Sequence, residues 1–323
     1  MSKLRLGILG DGAWATNSLM ALLQKPKLFD IQFVCARHSK PDLDFIGAAR
    51  QNNITVLELE EINSSSAVSI IERHQIDYLL SISYDQIFKR HVISNLSCEI
   101  LNFHAGALPK YRGRNVLNWA LINGEKSFGL TSHYISEGID RGDIIYQVDI
   151  PIADNHNYGS LLDLASKEMP NLVMKTLGRV ANPNFIPTNQ AALGKGFYCS
   201  ARRDGDEWID WGWSSQRINN FIRGISLPGP GARFAIGRNQ YVCLRSKLLS
   251  DRQNYIDIEG AIVGKTPDGV IVKTGDNVIL LCSCAAIEDI QQSLVPAWPI
   301  GTRLSGLVDF RLHRLGAAKD LDT

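Results

Sequence analysis

Short apolar segments alternate with segments of helical character along the first 180 residues, and this alternation limits the chain to few folds. The apolar runs, each bounded by turn residues, are typical of strands inside a sheet: 4–9, 31–36, 77–83 and 99–103. Between them, helices are predicted over 13–23, 44–52 and 66–74. Such an order favours a mostly parallel sheet with right-handed crossovers. We therefore predict an α/β fold.

The character of the sequence changes after residue 180. Residues 181–207 are rich in proline, glycine and arginine, which is typical of a boundary between domains. Beyond it, strand-like runs around 241–244, 270–273 and 278–282 recur at turn-rich spacing and indicate a small β-barrel. The sequence thus predicts a Rossmann-like, mostly parallel sheet domain over 1–195 and a smaller C-terminal β-barrel domain over 196–323.

Charge and cysteine content limit the classes of partner and of site that this chain could have. The chain has 34 lysines and arginines against 33 aspartates and glutamates, so no field of one sign would attract a nucleic acid or an anionic membrane. No apolar run reaches the roughly 18 residues of a membrane-spanning helix, and the first residues lack a signal-peptide pattern. The six cysteines lack a second close pair for a metal site. These features predict a cytoplasmic protein with buried thiols, no metal and no membrane partner.

A polar pair stands where a buried strand ends. Asn102 and His104 follow the apolar residues 100–101, and side chains so spaced project to the same side of an extended strand. Residues 105–113 contain two glycines and a proline, which is a loop composition. Open α/β folds bind their ligands at the carboxyl ends of such strands. The pair is therefore a candidate functional site.

Further motifs follow this pair in a fixed order. After Asn102-Phe-His104 come Leu108-Pro109, Arg112-Gly113, Gly129-Leu-Thr131 and Gly138-Ile-Asp140-x-Gly142-x-Ile144. The combination resembles the folate-dependent formyltransferase family, which includes methionyl-tRNA, glycinamide-ribonucleotide and sugar-nucleotide formyltransferases. The sequence over 102–120 is most similar to the sugar-nucleotide N-formyltransferases. Residues 209–211 and 228–232 resemble the entry to the C-terminal, OB-like domain of full-length members.

The resemblance implies formyl transfer from the co-substrate N10-formyltetrahydrofolate, without a metal, by a catalytic trio of Asn102, His104 and Asp140. The Asn102 amide would donate a hydrogen bond to an oxygen that becomes negative. His104 would accept the amine's proton or, as imidazolium, stabilise that oxygen, and both roles stay open. Asp140 would orient His104 and raise its pKa, or relay a proton through water. His133 has no motif support and is expected to be an ordinary interior or surface residue.

The resemblance also implies where folate would bind. One wall of its pocket is expected over 84–88, where a helix is predicted to begin at Tyr84. Ile87 and Phe88 are therefore candidates for pterin contacts, although both would equally suit the core. The other expected contacts lie in the later turn, at Gly138, Ile139 and Asp140.

The acceptor amine is expected on a 4-amino-4-deoxy or dideoxy sugar linked to dTDP, UDP or GDP. The candidate contacts lie in the loop beside the polar pair, where a sugar or pyrophosphate would meet Lys110, Tyr111, Arg112 and Arg114. A solvated basic loop is the alternative for these side chains.

Methionyl-tRNA is the alternative acceptor. Members of the family that formylate tRNA carry a basic insertion after the second strand, whereas residues 38–45 hold one lysine and two aspartates. Residues 200–323 hold 15 basic and 14 acidic residues, so the second domain offers no excess of cations for phosphates. No nucleic-acid partner is therefore expected. A homodimer is compatible with the sequence.

Two interpretations lie outside formyl transfer. Gly10-x-Gly12-x-x-Ala15 fits the dinucleotide-binding fingerprint, and Arg37 after the second strand points to NADP, so an NADP-dependent oxidoreductase is one alternative. The other is a non-catalytic relative that senses folate or a sugar nucleotide. The intact catalytic trio disfavours this second alternative.

Overall fold

The computed structural model describes residues 3–250 and 255–312 of the 323-residue chain. They fall into two compact units. The first comprises the described parts of Met1–Val116, Ser127–Pro151 and Leu162–Ser200. The second comprises those of Leu117–Lys126, Ile152–Leu161 and Ala201–Thr323, so it takes two short stretches from the N-terminal half of the chain.

One large sheet forms the centre of the first unit. In chain order, the strands described in this unit are β1 (Leu4–Gly10), β2 (Phe29–Cys35), β3 (Thr55–Val56), β4 (Tyr78–Ile82), β5 (Glu99–His104), β6 (Arg112–Gly113), β7 (Ser127–Tyr134), β8 (Ile144–Pro151) and β9 (Tyr198–Cys199). Seven of these described strands form the sheet, in the order β3-β2-β1-β4-β5-β7-β8, while β6 and β9 form a small parallel ribbon. The sheet is parallel from β3 to β5 and antiparallel from β5 to β8. The predicted mostly parallel, Rossmann-like sheet is confirmed.

Helices join the strands as predicted, and several begin at side-chain caps. Those of the described residues are α1 (Gly12–Leu23), α2 (Leu43–Gln51), α3 (Ser65–Arg73), α4 (Arg90–Asn95), α5 (Val116–Ile122), α6 (Tyr158–Val180) and α7 (Ser215–Gly224), and residues 307–312 are also helical. Ser64 caps α3 by accepting the backbone N–H of Ala67. No helix in the described part of the chain is long and apolar enough to cross a membrane.

The helix predicted to begin at Tyr84 begins later, at the start of α4. Residues 84–89 are not helical and form hydrogen bonds with residues 62 and 63 instead. Gln86 Oε1 accepts the backbone N–H of Ile62 at 2.8 Å, and Asn63 Oδ1 accepts that of Lys89 at 2.8 Å. The prediction was wrong because these long-range hydrogen bonds compete with helical ones.

The central strands carry apolar side chains on both faces, as a parallel sheet covered on both sides requires. Leu6, Ile8 and Leu79 are fully buried. Gly7 lies between the first two, and a Cβ atom at this position would lie 2.4 Å from the buried ring of Phe33 on β2. The close approach of β1 to that ring thus depends on glycine.

The second unit contains an antiparallel sheet. Its described strands are β10 (Ala232–Ile236), β11 (Asn239–Leu248), β12 (Ile262–Thr266), β13 (Gly269–Lys273) and β14 (Val278–Ala286), in the order β10-β11-β14-β13-β12. Residues 303–305 bridge both edges, because Ser305 pairs with Ala235 of β10 and Arg303 pairs with Ala261, just before β12. One segment thereby closes the sheet in the manner of a small barrel. The predicted fold class, an α/β domain followed by a smaller β domain, is confirmed.

Gly7→Ala is expected to lower the free energy of unfolding by about 1–3 kcal/mol, because its methyl group would overlap the Phe33 ring. The matched variant Gly47→Ala adds the same methyl group inside α2, where nothing lies within 4 Å of the new Cβ atom. Alanine is the better helix former, so this variant should gain about 0.5–1 kcal/mol. Urea titration measures both values. Equal effects of the two variants would contradict the packing of β1 against β2.

Candidate active site

Two neighbouring antiparallel strands form one side of the site. Asn102 and His104 lie at the end of β5, and the strand register places Asn102 directly opposite His133 of β7. Asn102 Nδ2 lies 3.1 Å from His133 Nε2, and His133 Nδ1 lies 2.8 Å from the carbonyl oxygen of Tyr134. A carbonyl only accepts, so Nδ1 carries a proton, and Nε2 is assigned as the acceptor of the Asn102 N–H. His133 thereby orients the Asn102 amide.

The turn between β7 and β8 carries Asp140. Asp140 has a positive φ of 52°, and Gly138, two residues earlier, has a φ of 94°. A Cβ atom at Gly142 would lie 1.7 Å from the carbonyl oxygen of Tyr134, so only glycine fits there. The Asp140 carboxylate accepts the backbone N–H of Gly113 at 2.8 Å. Glycines therefore allow the turn, and the N–H of Gly113 fixes the carboxylate.

The three predicted catalytic residues meet around this carboxylate. Asp140 Oδ2 lies 3.7 Å from His104 Nδ1, and Oδ1 lies 3.5 Å from both Asn102 Nδ2 and His133 Nε2. The first N–H of the Asn102 amide donates to His133. At 3.5 Å the second is at the limit of a hydrogen bond to Asp140, so it can be given to another oxygen. The structure brings the trio together, and its catalytic roles stay a prediction.

The proton on His104 is placed by a backbone carbonyl. His104 Nε2 lies 2.6 Å from the carbonyl oxygen of Tyr111, so Nε2 carries the proton and Nδ1, which faces Asp140, is the nitrogen free to accept one. Burial lowers the pKa of His104 below its usual 6.5, although Asp140 and the Tyr111 carbonyl act in the opposite direction. The expected increase from Asp140 is present, but burial outweighs it. The ring is therefore neutral at pH 7.

Asp140 is ionised across the physiological range. Burial on its own would raise the pKa of this carboxyl, but His104, the contact with His133 and the Gly113 N–H together lower it to about 2. His104 lowers this pKa through the attraction between its imidazolium form and the carboxylate. The site at neutral pH thus combines a neutral amide, a neutral imidazole able to accept a proton, and a buried carboxylate.

The loop after β5 is packed too tightly to shift. A Cβ atom at Gly106 would lie 2.3 Å from the carbonyl oxygen of Tyr111 and 2.5 Å from His104 Nε2. Thr131 Oγ1 donates to the carbonyl oxygen of Gly106 at 2.6 Å. A Cβ atom at Gly129 would likewise lie 2.6 Å from the backbone of the same loop. The motif residues Gly129 and Thr131 therefore hold the loop that fixes the His104 ring.

The candidate folate contacts divide into exposed and buried residues. Ile87 is 58% exposed and Ile139, beside Asp140, is 45% exposed, so both offer apolar surface to a ligand. Phe88 is 6% exposed and packs in a core cluster with Val92 and other apolar residues. Their folate contacts stay a prediction, and Phe88 lies in the core rather than at the surface.

The candidate acceptor contacts divide in the same way. Lys110 and Arg114 have exposed side chains. Tyr111 is buried, with its ring packed edge-on against Phe197 at 4.7 Å between centroids. Arg112 turns inward, where Nε donates to the backbone oxygen of Asp140 at 3.0 Å. Acceptor binding stays a prediction for Lys110 and Arg114, whereas Tyr111 and Arg112 contact neighbouring residues of the site.

Sequence reasoning overlooked two residues that contact these groups. His133 is interior, as expected, but it also touches Asn102 and Asp140. Its position two residues after Thr131 in a strand was a usable signal, since alternate residues share a face. Gln190, which contacts Arg112, stands in the predicted domain boundary and gave no signal. Within residues 3–250 and 255–312, no group of three or more His, Cys, Asp or Glu side chains is arranged to hold a metal ion.

Asp140→Asn is expected to lower the pKa of His104 further, because the carboxylate is the main influence opposing burial. Asparagine keeps the size of the side chain and an acceptor for the Gly113 N–H. NMR titration of ¹⁵N-labelled histidines measures the change. Asp149→Asn, which removes an exposed carboxylate on β8, is the control and should leave the titration of His104 unchanged. An upward shift in the Asp140 variant would refute the proposed electrostatics.

Known proteins resemble this chain in sequence. The formyl transferase family matches residues 4–177, and the formyl transferase C-terminal domain matches residues 203–291. A methionyl-tRNA formyltransferase from Alkaliphilus oremlandii is 30% identical over 248 residues, which is 76% of each chain.

Solved structures share the fold at lower identity. An N-formyltransferase from Helicobacter canadensis, in complex with folinic acid and dTDP-3-aminofucose, is similar with a TM-score of 0.68 at 23% identity, over 86% of this chain and 99% of that one. A variant of HypX from Aquifex aeolicus gives a TM-score of 0.59 at 16% identity and covers 88% of this chain, which spans only 46% of HypX. Because the family match covers more than half of the sequence, this protein belongs to the formyl transferase family.

Proposed function

We propose that this protein transfers a formyl group from N10-formyltetrahydrofolate to the amine of an amino sugar linked to dTDP, UDP or GDP. The observation that carries the reaction class is the catalytic trio of a formyl transferase, with Asp140 within 3.7 Å of His104 and 3.5 Å of Asn102. In this proposal residues 1–195 form the catalytic domain, and residues 196–323 form a smaller OB-like domain.

The transfer needs a neutral amine, stabilisation of a negative formyl oxygen and a path for one proton. The amine nitrogen bonds to the formyl carbon, the bond between that carbon and N10 breaks, and the proton lost by the amine passes to N10. Asn102 donates its second N–H to the formyl oxygen as charge develops. His104 accepts the amine's proton at Nδ1 and returns it to N10. Asp140 stabilises the imidazolium between these two steps, since it stays ionised and faces Nδ1.

The residues beside the trio fit a flat, partly apolar co-substrate. Ile139 adjoins the catalytic carboxylate, and both it and Ile87 expose apolar surface of the kind that lines ligand sites. Gly138 has no side chain to obstruct an approach to the backbone of the turn. These three residues would form the folate contacts, with Phe88 behind them in the core.

Charge supports a small anionic acceptor. Lys110 and Arg114 have exposed cationic side chains in the loop after β5, where two cations suit a pyrophosphate. Where tRNA-formylating members carry a basic insertion, this chain has Asp42, which caps α2 and accepts the backbone N–H of Gly12 at 2.7 Å. The chain as a whole carries a net charge of +1, which is far from the excess that tRNA binding favours.

Methionyl-tRNA is the second candidate acceptor. The relative that is 30% identical is a methionyl-tRNA formyltransferase, and the chemistry at the trio would be the same for both amines. An NADP-dependent oxidoreductase is disfavoured, because the N–H at the glycine turn after β1, where a pyrophosphate would bind, is taken by the Asp42 carboxylate. Arg37, which would select NADP, pairs with Asp11 at 3.4 Å.

Turnover on a panel of acceptors tests the proposal. The purified chain, with N10-formyltetrahydrofolate, should formylate at least one of the dTDP-, UDP- or GDP-linked amino sugars, and release of tetrahydrofolate should match the formylated product one to one. Charged initiator tRNA is the competing acceptor in the same assay. Activity on the tRNA with none on any sugar would reverse the choice of acceptor, and activity on neither would refute formyl transfer.

Asn102→Ala is expected to lower kcat about 10²- to 10³-fold, because the formyl oxygen loses its side-chain hydrogen-bond donor. Steady-state kinetics on the best acceptor measure the effect. Asn171→Ala, at an exposed position of α6, is the matched control and should leave kcat within about twofold. An Asn102 variant that keeps full turnover would remove the amide from the mechanism.

A further inference from the structure

After α6, a segment of the chain packs against the loop beside the site. The proposed chemistry gives this segment no role. It comprises a 3₁₀ turn, Gln190–Leu193, and strand β9, which pairs with β6 in the loop after β5. Between them, a Cβ atom at Gly196 would lie 1.8 Å from the carbonyl oxygen of Pro109. The segment 190–199 therefore packs directly onto the loop whose Tyr111 carbonyl holds His104.

Gln190 is where this segment meets the turn that carries Asp140. Its side chain is fully buried. Its Oε1 accepts from Nε of Arg112 at 2.8 Å and also from Nη2 of the same guanidinium. Its Nε2 donates to the carbonyl oxygen of Gly142 at 2.8 Å, and its backbone N–H donates to Asp143 Oδ1 at 3.3 Å. One amide group thus joins the loop after β5 to the turn between β7 and β8.

We propose that Gln190 is a positioning residue that holds Asp140 at the distance from His104 that the reaction needs. The proposal rests on the proposed function. Arg112, which Gln190 holds, donates to the backbone oxygen of Asp140 at 3.0 Å, and Gly142 follows Asp140 by two residues. The Gln190 amide therefore restrains the turn at Asp140 itself, through Arg112, and directly at Gly142, two residues later.

The turn needs such support because of its own backbone. Asp140 has a φ of 52°, in the left-handed region, which aspartate adopts more readily than most side chains but at a greater cost than glycine. The glycines at 138 and 142 lower the cost of forming the turn but restrain nothing by themselves. Buried hydrogen bonds from outside the turn supply the restraint.

The position of Asp140 matters because its charge acts on His104 over a short distance. The charged or titratable groups that face His104 are Asp140 and His133, and the Tyr111 carbonyl faces its other nitrogen. Retreat of the carboxylate would weaken its Coulomb interaction with the imidazolium. A misplacement of about 1 Å in such a site costs on the order of 100-fold in rate.

Only an amide satisfies both neighbours of the Gln190 side chain. Arg112 needs an acceptor, and the Gly142 carbonyl needs a donor. Glutamate at this position would keep the first contact and lose the second, since an ionised carboxylate only accepts. Methionine, of similar length, would lose both.

Two variants of the full chain test the proposal in the assay with the best acceptor. Gln190→Met is expected to lower kcat about 10- to 100-fold, with KM for both substrates changed by less than about threefold. The acid limb of its kcat/KM profile should move to lower pH, because His104 loses part of the charge that favours its protonation. Gln190→Glu should retain more of kcat than Gln190→Met, since it keeps the contact with Arg112.

Asn189→Ala is the matched control. It removes the side-chain cap of the same 3₁₀ turn, where Asn189 Oδ1 accepts the backbone N–H of Ala191 at 2.9 Å, and it leaves the contacts of Gln190 in place. It should keep kcat and the pH profile within about twofold. Full activity of Gln190→Met, an unmoved acid limb, or equal losses in Asn189→Ala would each overturn the positioning role.

A measurement without substrates separates this inference from the proposed function. If the wild-type chain formylates no acceptor, the proposed function fails, but the titration of His104 can still be followed by NMR in the free protein. A lower pKa of His104 in folded Gln190→Met than in both the wild type and Asn189→Ala supports the role of Gln190. Identical titration in all three proteins refutes it.

Discussion

The backbone N–H of Gly113, donated to the Asp140 carboxylate at 2.8 Å, is the contact on which the site depends. Burial opposes ionisation of the Asp140 carboxyl. Among the groups that favour the ionised form, the Gly113 N–H remains a donor whatever the protonation state of His104. Gly113 is itself fixed, because it has a φ of 96° and a Cβ atom there would lie 2.4 Å from the carbonyl oxygen of Cys199. The small ribbon of β6 and β9 thus holds the donor that keeps the carboxylate charged.

The change of strand direction within the sheet explains why polar groups gather at this end. β5 is the last strand of the parallel part, and its neighbour β7 runs antiparallel. In an antiparallel pair residues lie directly opposite each other. Asn102 therefore faces His133, which orients its amide, and His104 faces Thr131, whose hydroxyl holds the loop that follows. One neighbouring strand therefore supplies both the partner of Asn102 and the hydroxyl that holds the loop after His104.

Local patterns in the sequence were sufficient for the sheet, because apolar runs and caps are local or nearly so. The order of motifs, through the family resemblance, selected Asn102, His104 and Asp140, which the structure brings together. The contact between Asn102 and His133 depends on the register between two strands, which no local pattern specifies. Gln190 stands far along the chain in a stretch that resembles a linker. Gln190 also holds the Arg112 side chain in its inward orientation. The sequence alone therefore did not distinguish an exposed Arg112 in a basic loop from an Arg112 that supports the site.

Two of the groups that fix the trio are backbone atoms: the Tyr111 carbonyl on His104 and the Gly113 N–H on Asp140. A backbone donor or acceptor survives substitution of its own side chain wherever the local conformation is kept. Glycines impose the conformation here, at 106, 113 and 142, where a Cβ atom would overlap a neighbour. Under the proposed function, such a framework would keep its chemistry while exposed side chains such as Lys110 and Arg114 change with the acceptor. We therefore expect the reaction class to depend on this core and the choice of acceptor on its exposed rim.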